Sequence, residues 1–295
     1  MNTADYNIVF ITIDSCRYDT YRWADTPLID SLGGMKPAWT HGTYTVPAHT
    51  AFFCGHLPAV LEPSERAAYY TEALGRLFRI QTGRSEEKNT KALLLDGKDI
   101  IAGFRKLGYY LLGAGGVTQF NEGSQLRTYP WSDFFYYGPD LDEEPMQERC
   151  TQMFPLSHYQ TISEALGTHQ KWFLFLNCPE THYPYDVGEG FKEEVKPYLS
   201  LIRNHLNLRE PDLGIPTHIS KLLHEMQIEA LESVDKNLQL LLQELRARSC
   251  RPLLLIICGD HGENFGEPFE GRPRWGHLFP SPEVMKVPLL ICTIE

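Results

Sequence analysis

Two side chains that can bind a metal ion follow an apolar run near the C-terminus. Residues 253–259 read Leu-Leu-Leu-Ile-Ile-Cys-Gly, and Asp260 and His261 come directly after them. Such a run is typical of a buried strand, and open α/β sheets place their ligands at the carboxyl ends of their strands. On a strand-to-loop turn, a carboxylate and an imidazole can both reach one ion. The pair therefore predicts either part of a metal site or a polar loop.

A similar run near the N-terminus also ends in a carboxylate. Residues 7–13 read Asn-Ile-Val-Phe-Ile-Thr-Ile and precede Asp14. Further along, Pro47 favours the first turn of a helix, because its missing N–H would have no partner there. Thr45 then has its hydroxyl near the positive end of the helix, a position that favours an alkoxide nucleophile and a bound anion. His49 lies one helical turn later on the same face, and we expect it to orient the nucleophile or the substrate.

The order of these motifs resembles that of the alkaline phosphatase-like superfamily, the clan of sulfatases, phosphodiesterases and phosphoethanolamine transferases. Asp14 resembles its first metal carboxylate, and residues 45–49 (Thr-Val-Pro-Ala-His) lie where sulfatases carry Cys-x-Pro-x-Arg. Residues 260–263 (Asp-His-Gly-Glu) with Gly276 and His277 are most similar to the phosphoethanolamine-transferase pattern. Looser matches to other motifs of the superfamily occur at residues 26–32, 104–109 and 287–291.

The resemblance implies a metal ion bound by Asp14, Thr45, Asp260 and His261. The chain departs from sulfatases here, because a threonine cannot be converted to formylglycine as their cysteine or serine is. In addition, Ser15 follows Asp14 where sulfatases carry paired carboxylates. Calcium would favour more carboxylate oxygens, whereas two carboxylates, an imidazole and a hydroxyl suit zinc or manganese. We therefore expect zinc or manganese, as one or two ions.

A loop after a third apolar run carries further candidates. Glu180 and His182 follow the run at residues 171–177. By resemblance, His182 contacts the transferred group or a second metal. One arrangement has His182 and His277 stabilising the charge of the transferred group, as catalytic residues beside Thr45 and His49. The other is a second ion site formed by Glu180, His182 and His277.

These parts predict a metal-dependent hydrolase or transferase that acts on a phosphate ester, either a phosphodiester or a phosphomonoester, through a threonine nucleophile. The phospho-threonine would pass its group to water in a hydrolase, or to an acceptor hydroxyl in a transferase. Two alternatives stay open. The chain would otherwise be a sulfuric ester hydrolase (sulfatase-like) that works without formylglycine, or a non-catalytic binding protein that retains the fold. The expected partner is a small-molecule phosphate or sulfate ester.

The remaining sequence alternates between apolar strands and amphipathic helices. Apolar residues recur with helical spacing over residues 219–248, and residues 109–112 read as a strand ended by Gly113, Gly115 and Gly116. The alternation predicts an α/β fold with a mostly parallel central sheet and helices on both faces. We expect one alkaline phosphatase-like catalytic domain over residues 1–295. Residues 61–89 match no element, and residues 183–217 suggest a lid or a substrate-facing excursion.

Charge and composition argue against several partners and sites. The net charge is −11 and there is no cluster of Lys or Arg, so nucleic acid is not an expected partner. No apolar stretch reaches the roughly 18 residues of a membrane span, and no basic region precedes the first apolar run, so we expect a cytoplasmic protein. The seven cysteines are odd in number and lack Cys-x-x-Cys spacing, which argues against disulfides or a zinc knuckle. Cys16 has two interpretations, approach to the metal or a buried structural role.

Overall fold

A mixed sheet of seven strands forms the centre of the molecule. The computed structural model describes residues 5–55, 99–139, 151–185, 192–198, 201–202 and 213–295. Residues 61–89 and parts of 183–217 lie outside these ranges, and the expectations for them are not tested there. The strands in the described residues are β1 (Asn7–Ile13), β2 (Lys36–Trp39), β3 (Tyr110–Gly115), β4 (Asp133–Tyr136), β5 (Trp172–Cys178), β6 (Leu253–Gly259), β7 (Asn264–Phe269), β8 (Arg272–Gly276) and β9 (Lys286–Ile294).

The sheet has the order β2-β9-β6-β1-β5-β3-β4, and β7 and β8 form a separate hairpin. The central strand β1 is parallel to β5 on one side and to β6 on the other. Strand β3 is parallel to β4 and β5. Only β9 runs against its neighbours β2 and β6 in this sheet. The prediction of a mostly parallel α/β sheet is confirmed.

Helices cover both faces of this sheet, as expected. The helices in the described residues are α1 (Tyr18–Trp23), α2 (Pro27–Ser31), α3 (Thr45–Cys54), α4 (Ile100–Lys106), α5 (Tyr159–Gly167), α6 (Thr217–Arg248) and α7 (Pro282–Met285). Short 3-10 turns lie at Thr118–Phe120, Gln125–Thr128, Thr151–Met153 and Pro155–His158. Within the described ranges, every helix is too short or too polar to cross a bilayer.

Strand β1 shows why its sequence is apolar at almost every position. Val9 and Ile11 pack into a core with Leu238 of α6. Ile8 and Phe10 point to the opposite face and pack into a second core, which contains Phe53 of α3 and Ile101 of α4. Successive side chains point to opposite faces of a strand. A strand that is covered on both faces therefore needs apolar residues at odd and at even positions alike.

One predicted boundary is wrong. The strand expected over residues 109–112, with Gly113, Gly115 and Gly116 ending it, continues through Gly113 to Gly115 as β3. Gly113 does not break the strand, because it lies against the Phe134 ring of the neighbouring strand. A Cβ atom added at Gly113 would lie 2.3 Å from that ring. The glycine therefore allows close packing of β3 and β4.

Candidate active site

The carboxyl ends of three adjacent strands place the predicted metal ligands together. In the register of the sheet, Ile13 at the end of β1 lies beside Gly259 of β6 and Cys178 of β5. Asp14 and Asp260 are the next residues on their chains, so they leave the same edge of the sheet side by side.

Asp14, Asp260 and His261 form a compact, buried group. One ligand atom from each lies within 4.8 Å of the others, and none of the three residues is exposed to solvent. His261 Nε2 lies 3.6 Å from Asp14 Oδ1 and 3.7 Å from Asp260 Oδ2. The Thr45 hydroxyl donates a hydrogen bond to Asp14 Oδ2 at 3.4 Å. The structure thus brings all four residues of the expected first ion site together.

The surrounding hydrogen bonds orient the three ligands. Asp260 Oδ1 accepts from the backbone N–H groups of Ser15 and His261, at 3.1 and 2.8 Å. The Asn177 amide donates to Asp14 Oδ2 at 3.1 Å. His261 Nδ1 lies 2.9 Å from Gly262 O, and because a carbonyl can only accept, Nδ1 carries the proton. Its Nε2 is then the nitrogen directed at the carboxylates, as in metal-binding histidines.

These residues fit a divalent cation. Asp260 Oδ2 and His261 Nε2 are buried and have no hydrogen-bond partner among the described residues, although buried polar atoms almost always have one. Two carboxylates and an imidazole are a donor set that zinc and manganese accept. A bound ion would provide the missing partner for both atoms.

The two carboxyl groups have opposite pKa shifts. Burial raises the pKa of Asp260 well above its usual value, and the nearby charge of Asp14 raises it further. Burial alone would also raise the pKa of Asp14, but His182, His261 and the Asn177 amide outweigh it and lower that pKa. Two carboxylates this close repel each other. A cation between them would favour the ionised form of both.

Thr45 is the first residue of α3, as its spacing from Pro47 indicates. It is almost completely buried. The turn before it depends on Gly42, because a Cβ atom there would lie 2.3 Å from the backbone nitrogen of Ala48. The N–H groups of a first helical turn have no partner within the helix. The hydroxyl of Thr45 therefore lies at an anion-binding helix end and beside the carboxylate of Asp14.

His49 lies beneath Thr45 rather than facing solvent. Its Nδ1 donates to the carbonyl of Thr45 at 2.7 Å, and its Nε2 lies 2.9 Å from the Thr12 hydroxyl. Burial lowers the pKa of His49 to about 4, so the ring is neutral and Nε2 accepts from Thr12. Four phenylalanine rings surround it, those of Phe52, Phe53, Phe120 and Phe175. These contacts favour a role of His49 in orienting Thr45 over contact with a substrate.

His182 and His277 lie close to the cluster of Asp14, Asp260 and His261. The rings of His261 and His277 are 4.5 Å apart, and those of His182 and His277 are 5.7 Å apart. His182 Nδ1 donates to the carbonyl of Tyr183 at 2.6 Å. The ring of His277 therefore lies beside the His261 ring, and the ring of His182 lies beside that of His277.

Glu180 is completely buried. In the part of the chain that the structure describes, only Asp14, Asp260 and His261 form a cluster of three ligands. The Nδ1 of His277 is directed at Glu263 instead. A second ion held by Glu180, His182 and His277 therefore stays a prediction.

Comparison with known proteins places this site in a family. A sulfatase family model matches residues 6–293. The chain belongs to the sulfatase family. This result agrees with the expected alkaline phosphatase-like superfamily. A search of curated proteins finds no match.

Solved structures with this fold align with nearly the whole length of this chain. The C-terminal periplasmic domain of EcEptC from Escherichia coli, in complex with zinc, aligns with a TM-score of 0.61 and 13% identity, covering 99% of this chain and 73% of that chain. The phosphonate monoester hydrolase SpPMH from Silicibacter pomeroyi aligns with a TM-score of 0.56 and 15% identity, covering 97% and 67%. The phosphoglycerol transferase GacH from Streptococcus pyogenes, in complex with sn-glycerol-1-phosphate, aligns with a TM-score of 0.53 and 13% identity, covering 99% and 69%. At these identities the likeness shows the fold.

Two residues of this sulfatase-family site had no role in the sequence analysis. Glu263 is buried and accepts from His277 Nδ1 at 3.1 Å. Asn177 bonds Asp14 from the end of β5. Glu263 was visible as the last residue of Asp-His-Gly-Glu, and Asn177 as the one polar residue near the end of an apolar run.

Cys16 is buried, and its thiol lies 3.7 Å from the Arg17 carbonyl. Burial raises the pKa of this thiol, which disfavours the thiolate that binds metals. Cys16 is also outside the three-ligand cluster found among the described residues. These observations favour its structural interpretation.

Proposed function

We propose that this chain is a metal-dependent enzyme that transfers or hydrolyses a phosphate ester group through Thr45. One observation carries the proposal. The Thr45 hydroxyl lies at the N-terminus of α3 and 3.4 Å from a carboxylate of the buried cluster of Asp14, Asp260 and His261. This arrangement supports a threonine that acts as a nucleophile.

Asp14, Asp260 and His261 would hold a zinc or manganese ion, with the Thr45 hydroxyl as a fourth ligand. Such an ion lowers the pKa of a bound hydroxyl and offsets the negative charge of the reacting phosphate. Asn177 and the backbone N–H groups of residues 15 and 261 keep the carboxylates in place.

The chain's own residues supply the remaining parts of the reaction. Thr45 Oγ1 forms a bond to phosphorus while the bond from phosphorus to the leaving-group oxygen breaks. The hydroxyl, whose hydrogen bond Asp14 Oδ2 accepts, loses its proton to solvent, and the leaving-group oxygen departs with the bonding electron pair and takes up a proton from water. The N–H groups at the start of α3, together with His182 and His277, stabilise the non-bridging oxygens. Water or an acceptor hydroxyl then takes the group from Thr45.

The names of the structural neighbours support a phosphorus ester as the substrate. They include a phosphonate monoester hydrolase, a phosphoglycerol transferase and the phosphoethanolamine transferase EptC from Campylobacter jejuni. Both hydrolases and transferases are among them, so they leave the choice of acceptor open. The sulfatase family model favours a second candidate, a sulfuric ester hydrolase that uses an unmodified threonine.

The experiment compares three generic substrates with and without zinc or manganese. Purified protein is assayed on a chromogenic phosphodiester, a phosphomonoester and an aryl sulfate, with Thr45→Ala as the matched control. We expect metal-dependent turnover of a phosphorus ester that Thr45→Ala lacks. Turnover of the sulfate alone would favour the second candidate. Bound metal without turnover of any ester would favour a non-catalytic binding protein.

A further inference from the structure

The hairpin of β7 and β8 ends in a pair of side chains that point at each other. Asn264 pairs with Gly276, and Phe265 pairs with Trp275, in an antiparallel register. Glu263 directly precedes β7 and His277 directly follows β8, so the two residues leave the same end of the hairpin. Glu263 Oε1 accepts a hydrogen bond from His277 Nδ1 at 3.1 Å.

From this geometry we infer that Glu263 is the positioning residue for His277. A carboxylate that accepts from Nδ1 fixes the proton there and fixes the orientation of the ring. The other nitrogen, Nε2, is then the one available to a group bound beside Thr45. This inference rests on the proposed function and adds a residue to its site. Glu263 acts through His277 and has no assigned contact with substrate.

The backbone on both sides of His277 has a conformation that fixes the position of this residue. Gly276 and Leu278, on either side of it, both have positive φ, at 75° and 82°. For leucine this left-handed conformation is strained and persists only where its surroundings impose it. The N–H of Leu278 donates to the carbonyl of Thr43 at 3.1 Å, two residues before Thr45. His277 is thus tied to the loop that carries the nucleophile.

The hairpin itself is held to the sheet edge by Arg17. The guanidinium donates to the carbonyl of Glu263 at 3.2 Å and to Glu267 Oε1 at 2.5 Å. It also makes a bidentate pair with Asp19. Next to Glu263, at the start of β7, Ser281 donates to Asn264 Oδ1 at 2.5 Å. These bonds hold the backbone of Glu263 in place. A residue that orients another side chain must itself be held in this way.

A double-mutant cycle tests the inference. Glu263→Gln is made alone and together with His277→Ala. For both zinc-loaded variants, kcat and KM are measured on the ester that the three-substrate assay identifies. Loss of a group that orients a functional histidine typically costs about 10- to 100-fold. We expect a loss of this size in kcat, with KM changed much less. In the His277→Ala background the same change should have almost no effect, because the residue it positions is absent.

Asp235→Asn is the matched control, since this carboxylate is also buried but accepts from the backbone of Leu28 and Ile29 and not from His277. Its effect, whatever its size, should be the same with and without His277. Equal losses from Glu263→Gln in both backgrounds would overturn the inference, and so would a Glu263→Gln enzyme with normal kcat.

A second measurement does not depend on activity. Long-range proton–nitrogen NMR spectra of the zinc-loaded protein report which ring nitrogen of each histidine carries a proton, and His277→Gln assigns the signals. We expect a protonated Nδ1 for His277 in the wild type and loss of this fixed state in Glu263→Gln. A bare Nδ1 in the wild type would overturn the inference even if the enzyme turns over esters. The expected spectra from a protein that turns over no ester would count against the proposed function alone.

Discussion

The site has two halves that the fold builds in different ways. Asp14, Asp260 and His261 follow the central strands β1 and β6, and all three are completely buried. His182 and His277 lie outside the sheet, one after β5 and the other after the hairpin. The first half, which we call the strand-edge half, is fixed by the register of parallel strands. The second, which we call the hairpin half, is fixed by a hairpin and a loop. We infer that the first half sets the chemistry, while the second half adjusts how the transferred group is held.

Removal of the metal should have the largest effect on turnover. Binding of this metal should depend only on the residues of the strand-edge half. Chelation should abolish turnover, and zinc or manganese should restore it. Zinc should also stabilise the folded wild type, by about 2.7 kcal/mol when its concentration is one hundred times Kd. Asp260→Asn should lose this stabilisation, because it alters a ligand, and thermal unfolding measures it.

Asp235→Asn is the control for this prediction. Asp235 is also buried, but it accepts from the backbone N–H groups of Leu28 and Ile29, away from the site. That variant should be less stable than wild type and should still gain stability from zinc. Activation by calcium alone would contradict the zinc or manganese assignment and would favour sulfatase-type chemistry.

Thr45→Ala should come next in size. The variant keeps three protein ligands for the metal, so zinc content should stay near the wild-type level. Turnover should fall by roughly 10³-fold or more, since the residue that forms the covalent bond is gone. Thr45→Ser keeps a hydroxyl and should retain much of the activity. An alanine variant with normal turnover would remove Thr45 from the mechanism.

His277→Ala tests the hairpin half. Loss of one group that stabilises developing charge typically costs about 10²–10³ in rate, and we expect a loss in this range. Zinc content and stabilisation by zinc should be unchanged, as measured by elemental analysis and thermal unfolding. If the variant loses a zinc ion, His277 instead belongs to the second ion site with Glu180 and His182.

His49 should show the smallest effect on catalysis. His49→Leu removes the bonds to the Thr45 carbonyl and the Thr12 hydroxyl, and it leaves buried polar groups without partners. We expect about 1–3 kcal/mol less stability and a moderate decrease in kcat with little change in KM. His49→Gln, which keeps polar atoms in this place, should recover part of both. A His49→Leu enzyme with a greatly raised KM would show contact with the substrate instead.

The strand-edge half was predictable because its signal is local. A strand buried on both faces reads as a continuous apolar run, and a charged residue at its end stands out in the sequence. Asp14 and Asp260 were found in this way, and Pro47 marked the helix that starts at Thr45. The end of strand β3 was predicted too early because Gly113 was taken to break the strand. Its close contact with the Phe134 ring is evident only in the three-dimensional structure.

The hairpin half was only partly predictable, since it depends on pairing between distant residues. His277 was found by resemblance, but its bond to Glu263 forms only because pairing of β7 with β8 brings the two residues to the same end of the hairpin. This pairing includes an irregularity between Phe265 and Pro268, which residue spacing does not reveal. Asn177 was missed for a similar reason, because a polar residue ending a buried strand has no partner until the strands are aligned.

The most direct test of the proposed metal site is a crystal structure of the zinc-loaded protein with anomalous data collected at the zinc edge. We predict an anomalous peak at about 2.0–2.3 Å from ligand atoms of Asp14, Asp260 and His261, with the Thr45 hydroxyl also within ligand distance. A zinc ion bound only elsewhere, or a Thr45 hydroxyl turned away from an ion held by these three residues, would contradict it.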